Sequence, residues 1–544
     1  MAYSPIAFIA PNYRDYGTYW LKAYTPGSTS PKTLAIDPAG AALFSKLQLN
    51  VNGFFKTAGG ALLTPYIEGS YDAYLFQTEE DADENNTVGA IRIADNITPI
   101  TTSGSFAFTI TTTGLIATTG TFGADTVINT SGYTTSGDGG KGGWKQNGVT
   151  GQTVSQSPAQ LLNGLLNDAN GNQWALVQSF NISLESLGFL SSSDESLIIQ
   201  AAVNGAADGS IITTLKKHTF GFGGITVSNK TLNFKFKNSN VTMLTSSSLI
   251  QASGSYRSQQ TVSNIAGSLV SVVTIASGTG YATGDIVKIV STDEQPDFWV
   301  AERYLGQFAV IDSIAGNALT LDRLIVDSAL YLTNVNIAIL NRHTVSISDV
   351  NIQVDEPTDN LAVISIRDMV LPKTCNITIN DSKDVCILFR SCFGYLSLND
   401  TAINALDNSG TSNYGYSIED QSCDNGLVFN LLSTGSRHAF TTNSHRSPGG
   451  VDMSCGYTTG AKVNGKAYNA TAGGWDTHPG AIDVDFIDCH TYSSLIFGQS
   501  RSRNTRFINP YGRLNTVGFK LAGGRVGSTM NPIKSNKIIN ADVE

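Results

Sequence analysis

Cys375–Asn380 reads CNITIN, Tyr395–Asn399 reads YLSLN and Gly426–Asn430 reads GLVFN. Each is a short alternation of apolar and polar residues closed by an asparagine. Alternation at period two is the pattern of a half-buried strand, and asparagine tolerates the backbone of a tight corner. The same unit recurs upstream in ITVSNKTLNFKF (Ile225–Phe236) and VSISDVNIQV (Val345–Val354). Downstream it recurs in IDVDFIDC (Ile482–Cys489), TRFIN (Thr505–Asn509) and NKIIN (Asn536–Asn540). Ile377 and Leu396 are 19 residues apart, and Phe486 and Phe507 are 21 apart. One strand plus turns every 20 or so residues reads as a solenoid. Other spacings approach 30, so side loops must leave some coils. These repeats predict an all-β chain with a parallel β-helix over residues 193–544, and an asparagine ladder through Asn380, Asn399, Asn430, Asn509 and Asn540.

The rest of the chain falls around that region. DESLIIQAAVNGA (Asp194–Ala206) predicts a helix, capped at Ser193–Glu195 and turning Leu197, Ile198, Ala201 and Ala202 to the core. A small antiparallel β insert is expected at about 256–330, clearest in Thr283–Ile325 with its GDIVKIV start and NALTLD hairpin. Residues 99–192 read as a Thr- and Gly-rich linker and neck ending near GYTTSGDGGKGGW (Gly132–Trp144). Within it, DANGN (Asp168–Asn172) reads as a turn rather than a calcium loop. Residues 1–98 predict a small, mainly antiparallel β domain, with a turn at Asn52–Gly53 and an acidic loop at TEEDADENN (Thr78–Asn86). No polar closing segment follows KIINADV (Lys537–Val543), which leaves open whether the polypeptide continues.

Composition excludes several functions. Charged residues are 14% of 544, and the net charge is −10. An average soluble domain carries roughly 25% charged residues. Glycine, threonine and asparagine supply the surface polarity instead, which suits a carbohydrate-handling protein and argues against nucleic-acid binding. Eight lysines and arginines between Cys489 and Ala541, with no acidic residue among them, form a basic field toward an acidic polymer. The six cysteines have no metal or CxxC spacing and read as buried free thiols of a chain made in a reducing cytoplasm. MAYSPIAFIAPNYRDY lacks a signal-peptide pattern, and no apolar run is long enough for membrane insertion. No phosphate-binding loop, dinucleotide fingerprint or serine nucleophile elbow occurs.

WLKAYTPGSTSPKTLAIDPAG (Trp20–Gly40) and PYIEGSYDAYLF (Pro65–Phe76) resemble the particle-binding module of tailed-bacteriophage tailspikes. GYTTSGDGGKGGW resembles the neck before their receptor-binding domain, and DESLIIQAAVNGA the helix that caps their β-helix. The resemblance implies a right-handed, pectin-lyase-like β-helix assembled as a homotrimer in the phage virion and made in the host cytoplasm. It also implies recognition, and usually cleavage, of a bacterial surface polysaccharide: capsule, lipopolysaccharide O-antigen or exopolysaccharide. The N-terminal module would attach to the phage tail, its baseplate or another tailspike. A C-terminal trimerising region, common in that family, is not legible here.

Four of the six histidines, His438, His445, His478 and His490, lie within 53 residues. SRHAFTTNSHR (Ser436–Arg446) precedes GWDTHPG (Gly474–Gly480) by one or two coils, so stacking at about 4.8 Å would bring the two stretches into one groove. RHAF followed by DTHP also resembles a pattern in other right-handed phage β-helix proteins. Two chemistries fit. Glycoside hydrolysis needs two carboxyl groups: Asp476 as acid, with Asp483 or Asp485 as base or nucleophile, both reading as outward on one face of AIDVDFIDC. Trp475 would stack on sugar, and Asn443, His445, Arg446, Arg501 and Arg503 would bind it. β-Elimination from a uronic-acid polymer needs a base, His438 or His478, and a cation, Arg437. The family resemblance places hydrolysis slightly ahead. A non-catalytic adhesin and a deacetylase remain the other readings. No cofactor is expected, and His438, His445 and His478 match no standard zinc spacing.

Overall fold

The computed structural model describes residues 194–544 except 246, 297–301, 356–361, 407–413, 449–451, 523–524, 527–528 and 531–534. Before 194 it describes 4–5, 19–35, 43–49, 55–56, 66–68, 70–87, 90–97, 115, 117, 127–129, 143–146, 150, 165–176 and 181–188. The Asn52–Gly53 turn and most of the Gly132–Trp144 stretch lie outside these residues. The chain divides into two units, Met1–Phe108 and Thr109–Glu544.

In the first unit, Tyr71–Phe76 lies antiparallel between Trp20–Tyr24 and Ile91–Ile97. Leu21, Ala23, Leu47, Leu49, Ile67 and Leu75 form its core. The acidic stretch is a helix, Glu79–Glu84, not a loop. The Thr78 hydroxyl accepts from the Asp81 N–H at 3.1 Å, and Glu79, Glu80 and Asp81 occupy the first turn, where carboxylates suit the helix dipole.

The second unit opens with a four-stranded antiparallel sheet built from Val127–Asn129, Gly143–Gln146, Leu165–Asn167 and Gln173–Leu176, where the sequence reads as a linker. Trp144 and Trp174 bury in it. Asp168 accepts from the Asn170 and Asn172 N–H groups and from Trp174 Nε1, each at 2.9 Å, which makes DANGN a turn. The helix follows as Ser196–Gly205, with Asp194 Oδ1 accepting from the Ser196 N–H. Leu197 is exposed, and Ile198, Ile199, Ala201, Ala202 and Val203 face the core.

Beyond it runs the parallel β-helix. Its described strands form a sixteen-stranded and a nine-stranded parallel sheet. The nine are β1 Ile225–Ser228, β2 Ile250–Ser253, β3 Ile364–Arg367, β4 Ile387–Arg390, β5 Tyr416–Gln421, β6 His438–Asn443, β7 Gly473–Thr477, β8 Ile496–Ser500 and β9 Val517–Leu521. Between the sheets lies one apolar column, with Phe389, Ile418, Phe440, Trp475, Phe486 and Phe507 among its members. Phe486 pairs in register with Phe507, as their spacing predicts. Leu396 pairs instead with Lys373, because Lys373–Asn380 turns a corner at Asn376 and each half pairs with its own short strand.

The asparagine ladder forms at such corners. Asn399 donates to Asn376 Oδ1 at 3.2 Å, Asn430 to Asn399 at 3.0 Å and Asn540 to Asn509 at 3.1 Å. All five have φ between 50° and 57°, where a residue with a Cβ is strained and asparagine is tolerated. Asn380 is not a rung; its side chain bonds the Ile352 carbonyl. The rungs are 21, 23 or 31 residues apart, and the longer steps carry side loops.

The insert leaves after β2 as a closed antiparallel barrel of six strands running from Tyr256 to Leu340, past the expected end. It has its own core of Val273, Val287, Ile289, Leu305, Ile311 and Ile337. Arg323 pairs with the buried Asp424 at 2.9 Å, and Arg503 with Asp327 at 2.8 Å, fixing the barrel to the coils. Gly306 meets Cys455–Gly456 with no room for a Cβ. All six cysteines are free thiols. No helix among the described residues is long and apolar enough to cross a membrane.

Candidate active site

Parallel pairing projects every second residue of β1–β9 outward. In β5, Ile418 faces the core, and Glu419 and Gln421 face out. The register then defines two rows across the coils. One contains Leu388, Glu419, Thr441, Asp476 and Gln499. The other contains Ser253, Arg367, Arg390, Gln421 and Asn443. Residues as far apart in the chain as Ser253 and Arg367 thus sit side by side.

His438, Asp476, His478 and Arg501 meet at one end. Asp476 Oδ2 accepts from Arg501 Nη2 at 2.6 Å and from Thr441 Oγ1 at 2.9 Å. It lies 3.6 Å from His438 Nε2 and 3.5 Å from His478 Nδ1. Burial alone would raise the Asp476 pKa, but the Arg501 guanidinium holds it below the usual carboxylate range. Asp476 is therefore an ionised anchor, fully buried, and not a proton donor. His438 Nδ1–H donates to the Gly473 carbonyl at 2.5 Å, and His478 Nδ1–H to the Thr442 carbonyl at 2.6 Å. These bonds fix the neutral tautomers and leave Nε2 as the basic atom. Burial lowers the His438 pKa. Burial, then Arg501, pushes His478 down to about 3.

Next to this cluster is a cavity of about 500 Å³ lined by Asp384, Glu419, Tyr414, Arg303, Arg390 and His445, with Asn443 and Arg446 at its edge. A second cavity of about 230 Å³ shares Ala362, Leu388 and Arg390 with it and extends to Thr226 and Ser228 of β1. Together they form one groove crossing the coils from β1 to β6. Asp384 sits before β4 among Ala362, Val385 and Leu388, an apolar floor. Burial raises its pKa to about 7; the Tyr414 N–H, donating at 2.9 Å, opposes this, and the like charge of Glu419 adds to it. Glu419 accepts from Asn443 Nδ2 at 3.0 Å. Tyr414, 40% exposed, stacks on Tyr416, and the Arg437 guanidinium lies 5.4 Å from its ring centre. The groove thus holds an acid whose pKa burial raises to about 7, a second carboxyl group and an exposed aromatic ring.

Several expected residues are elsewhere. Trp475 is fully buried, its Nε1 donating to Thr491 Oγ1 at 2.9 Å, so it cannot be a sugar platform. Asp483 has φ 58° and forms a corner, so Asp483 and Asp485 do not share one face. Asp485 lies on the sixteen-stranded sheet and is clamped by Arg506. Arg503 is held by Asp327 of the barrel. His445 pairs with Asp452 at 3.5 Å, away from His438 and His478 as a ligand set, and Arg446 pairs with Glu302 at 2.7 Å. Asp384, Glu419, Arg390 and Tyr414 were not singled out from the sequence. The alternation in YSIEDQ marks Glu419 as outward; nothing local marks Asp384, whose surroundings come from three coils.

No protein-family model and no curated protein matches the sequence. Among solved structures, tailspike gp49 of Pseudomonas phage LKA1 is 17% identical, covering 59% of this chain and 56% of its own length, at TM-score 0.45. The Gp54 tailspike of Acinetobacter baumannii bacteriophage AP22, solved with a capsular saccharide, is 15% identical over 67% of this chain and 69% of its own, at TM-score 0.47. The chain resembles phage tailspikes. Full-length tailspike protein 2 of an Escherichia coli O157:H7 bacteriophage is 12% identical, covering 93% of this chain and 64% of its own, at TM-score 0.36. The chain thus spans little more than half the length of the LKA1 tailspike.

Proposed function

We propose that the protein is a phage tailspike that binds and depolymerises a bacterial surface polysaccharide by glycosidic hydrolysis. The observation that carries this reading is the Asp384–Glu419 pair inside a groove crossing six coils. Asp384, protonated up to about pH 7, donates to the leaving oxygen, and Glu419 acts as base or nucleophile. Tyr414 supplies the sugar-stacking face. The His438–Asp476–His478–Arg501 network holds Thr441, the register neighbour of Glu419, through Asp476.

In this reading, residues 1–98 attach the chain to the virion and the β-helix engages the host. Assembly as a homotrimer is supported by apolar residues on the outer face of the sixteen-stranded sheet before the Asn430 corner, where Leu427 is 43% and Phe429 52% exposed. Such a patch is unusual on a solitary soluble surface. The test is reducing-end release from purified capsular and O-antigen polysaccharides by the wild-type chain, Asp384→Asn and Glu419→Gln. Loss of release in both variants, with binding kept, supports the assignment. Full activity in either variant removes that residue, and unsaturated products would replace hydrolysis by elimination.

A further inference from the structure

Arg367 ends β3 and Arg390 ends β4, and the two are register partners on adjacent parallel strands. Their backbones are therefore about 4.8 Å apart, with both side chains on the outer face. Like charges placed directly opposite on neighbouring strands repel. Six other arginines of the coils and barrel are ion-paired: Arg323 with Asp424, Arg446 with Glu302, Arg501 with Asp476, Arg503 with Asp327, Arg506 with Asp485 and Arg513 with Asp542. Neither Arg367 nor Arg390 is ion-paired among the described residues. The Arg390 guanidinium donates only from Nε, to the neutral Gln421 Oε1 at 2.8 Å.

The acidic groups nearby make other hydrogen bonds, and of them Glu419 lies near enough for its charge to favour the Arg390 cation. Asp368 accepts from Ser454 Oγ of the loop after β6 at 3.2 Å and faces the barrel's Lys288. Glu419 accepts from Asn443, and Asp384 from the Tyr414 N–H. Arg390 lines both cavities and Arg367 the smaller one, whose other polar walls are hydroxyl and amide groups such as Ser228, Gln251 and Ser365. Two adjacent guanidiniums with no ion pair among the described residues, Arg390 half-buried and Arg367 exposed, line the groove and form a fork for an oxyanion.

We propose that the polymer is an acidic glycan whose anionic group is held between Arg367 and Arg390. The inference rests on the depolymerase reading and adds the substrate's charge. The anion is a sugar carboxylate or a phosphodiester, which offer the same oxygens to the fork.

The full chain is assayed for binding on a panel of purified bacterial capsular and O-antigen polysaccharides, half acidic and half neutral. The expected hits are acidic only. Carbodiimide reduction of a hit removes carboxylates and hydrofluoric-acid treatment removes phosphodiesters; one of the two weakens binding at least tenfold and so names the anion. Arg390→Gln and Arg367→Gln each weaken the untreated hit at least tenfold without shifting the unfolding midpoint, and Arg390→Lys recovers part of the loss. A neutral hit, or variants that bind the acidic hit as the wild type does, overturns the acidic-substrate inference and leaves the depolymerase reading standing. Binding of no polysaccharide overturns both.

Discussion

Asp384 illustrates how burial is turned to chemistry. Its folded-state pKa is raised to about 7 from the ordinary 3.8. The folded protein therefore holds a proton that the unfolded chain has released, and stability falls as pH rises from about 4 to 7. Asp384→Asn removes this liability. The variant is expected to lose at least about 100-fold in depolymerising rate, yet to gain up to about 4 kcal/mol at pH 8, measured as urea midpoints at pH 5 and 8. His478 works in the opposite sense. Its pKa is depressed to about 3, so the unfolded chain takes up a proton below about pH 6.5 that the folded one refuses. Its share of stability is present above that pH and is lost toward pH 3, at about 1.4 kcal/mol per pH unit. His478→Gln should flatten the stability profile between pH 6.5 and 4; an unchanged slope would show that the imidazole is not buried neutral.

At the scale of the element, coil corners and the column between the sheets set stability. Asn399 has φ 55° and is both acceptor and donor in the ladder. Asn399→Ala loses both bonds and strains its Cβ, at a cost of about 2 kcal/mol. Asn399→Gly keeps the backbone free and should cost less, which separates the two contributions in thermal denaturation. Trp475 packs beside Phe486, ring centres 6.2 Å apart, inside β7. Trp475→Ala should cost about 3–5 kcal/mol as a cavity opens beneath the site. Polysaccharide binding by any folded fraction should persist, since the indole faces away from the groove.

For the whole molecule, two surfaces carry the consequences. The barrel is fixed through Arg323, whose partner Asp424 is 1% exposed. Removing that cation with Arg323→Ala strands a buried carboxylate, at about 3–5 kcal/mol, read as an early unfolding step that the wild type lacks. The apolar outer face is the other surface. Phe429→Asp should convert an assembled particle to single chains in sedimentation velocity; an unchanged mass would exclude this face from the assembly.

The period-two runs closed by asparagine determined the architecture by themselves, because strand alternation and corner tolerance are local properties of the chain. They placed the coils and the Phe486–Phe507 register. They also implied that His438 and His478 share a groove, as stacking makes a coil's length a distance of a few ångströms. The sequence missed where a coil splits. Asp483 turns a corner, so the apparent Asp483–Asp485 pair never shares a face, and Trp475 points inward. It also missed what burial and neighbours do to charge. Asp476 is held ionised by Arg501, and Asp384 takes up its proton beside Glu419, 35 residues away along the chain. Desolvation and opposing charge depend on which coils lie against one another, and only the folded solenoid decides that.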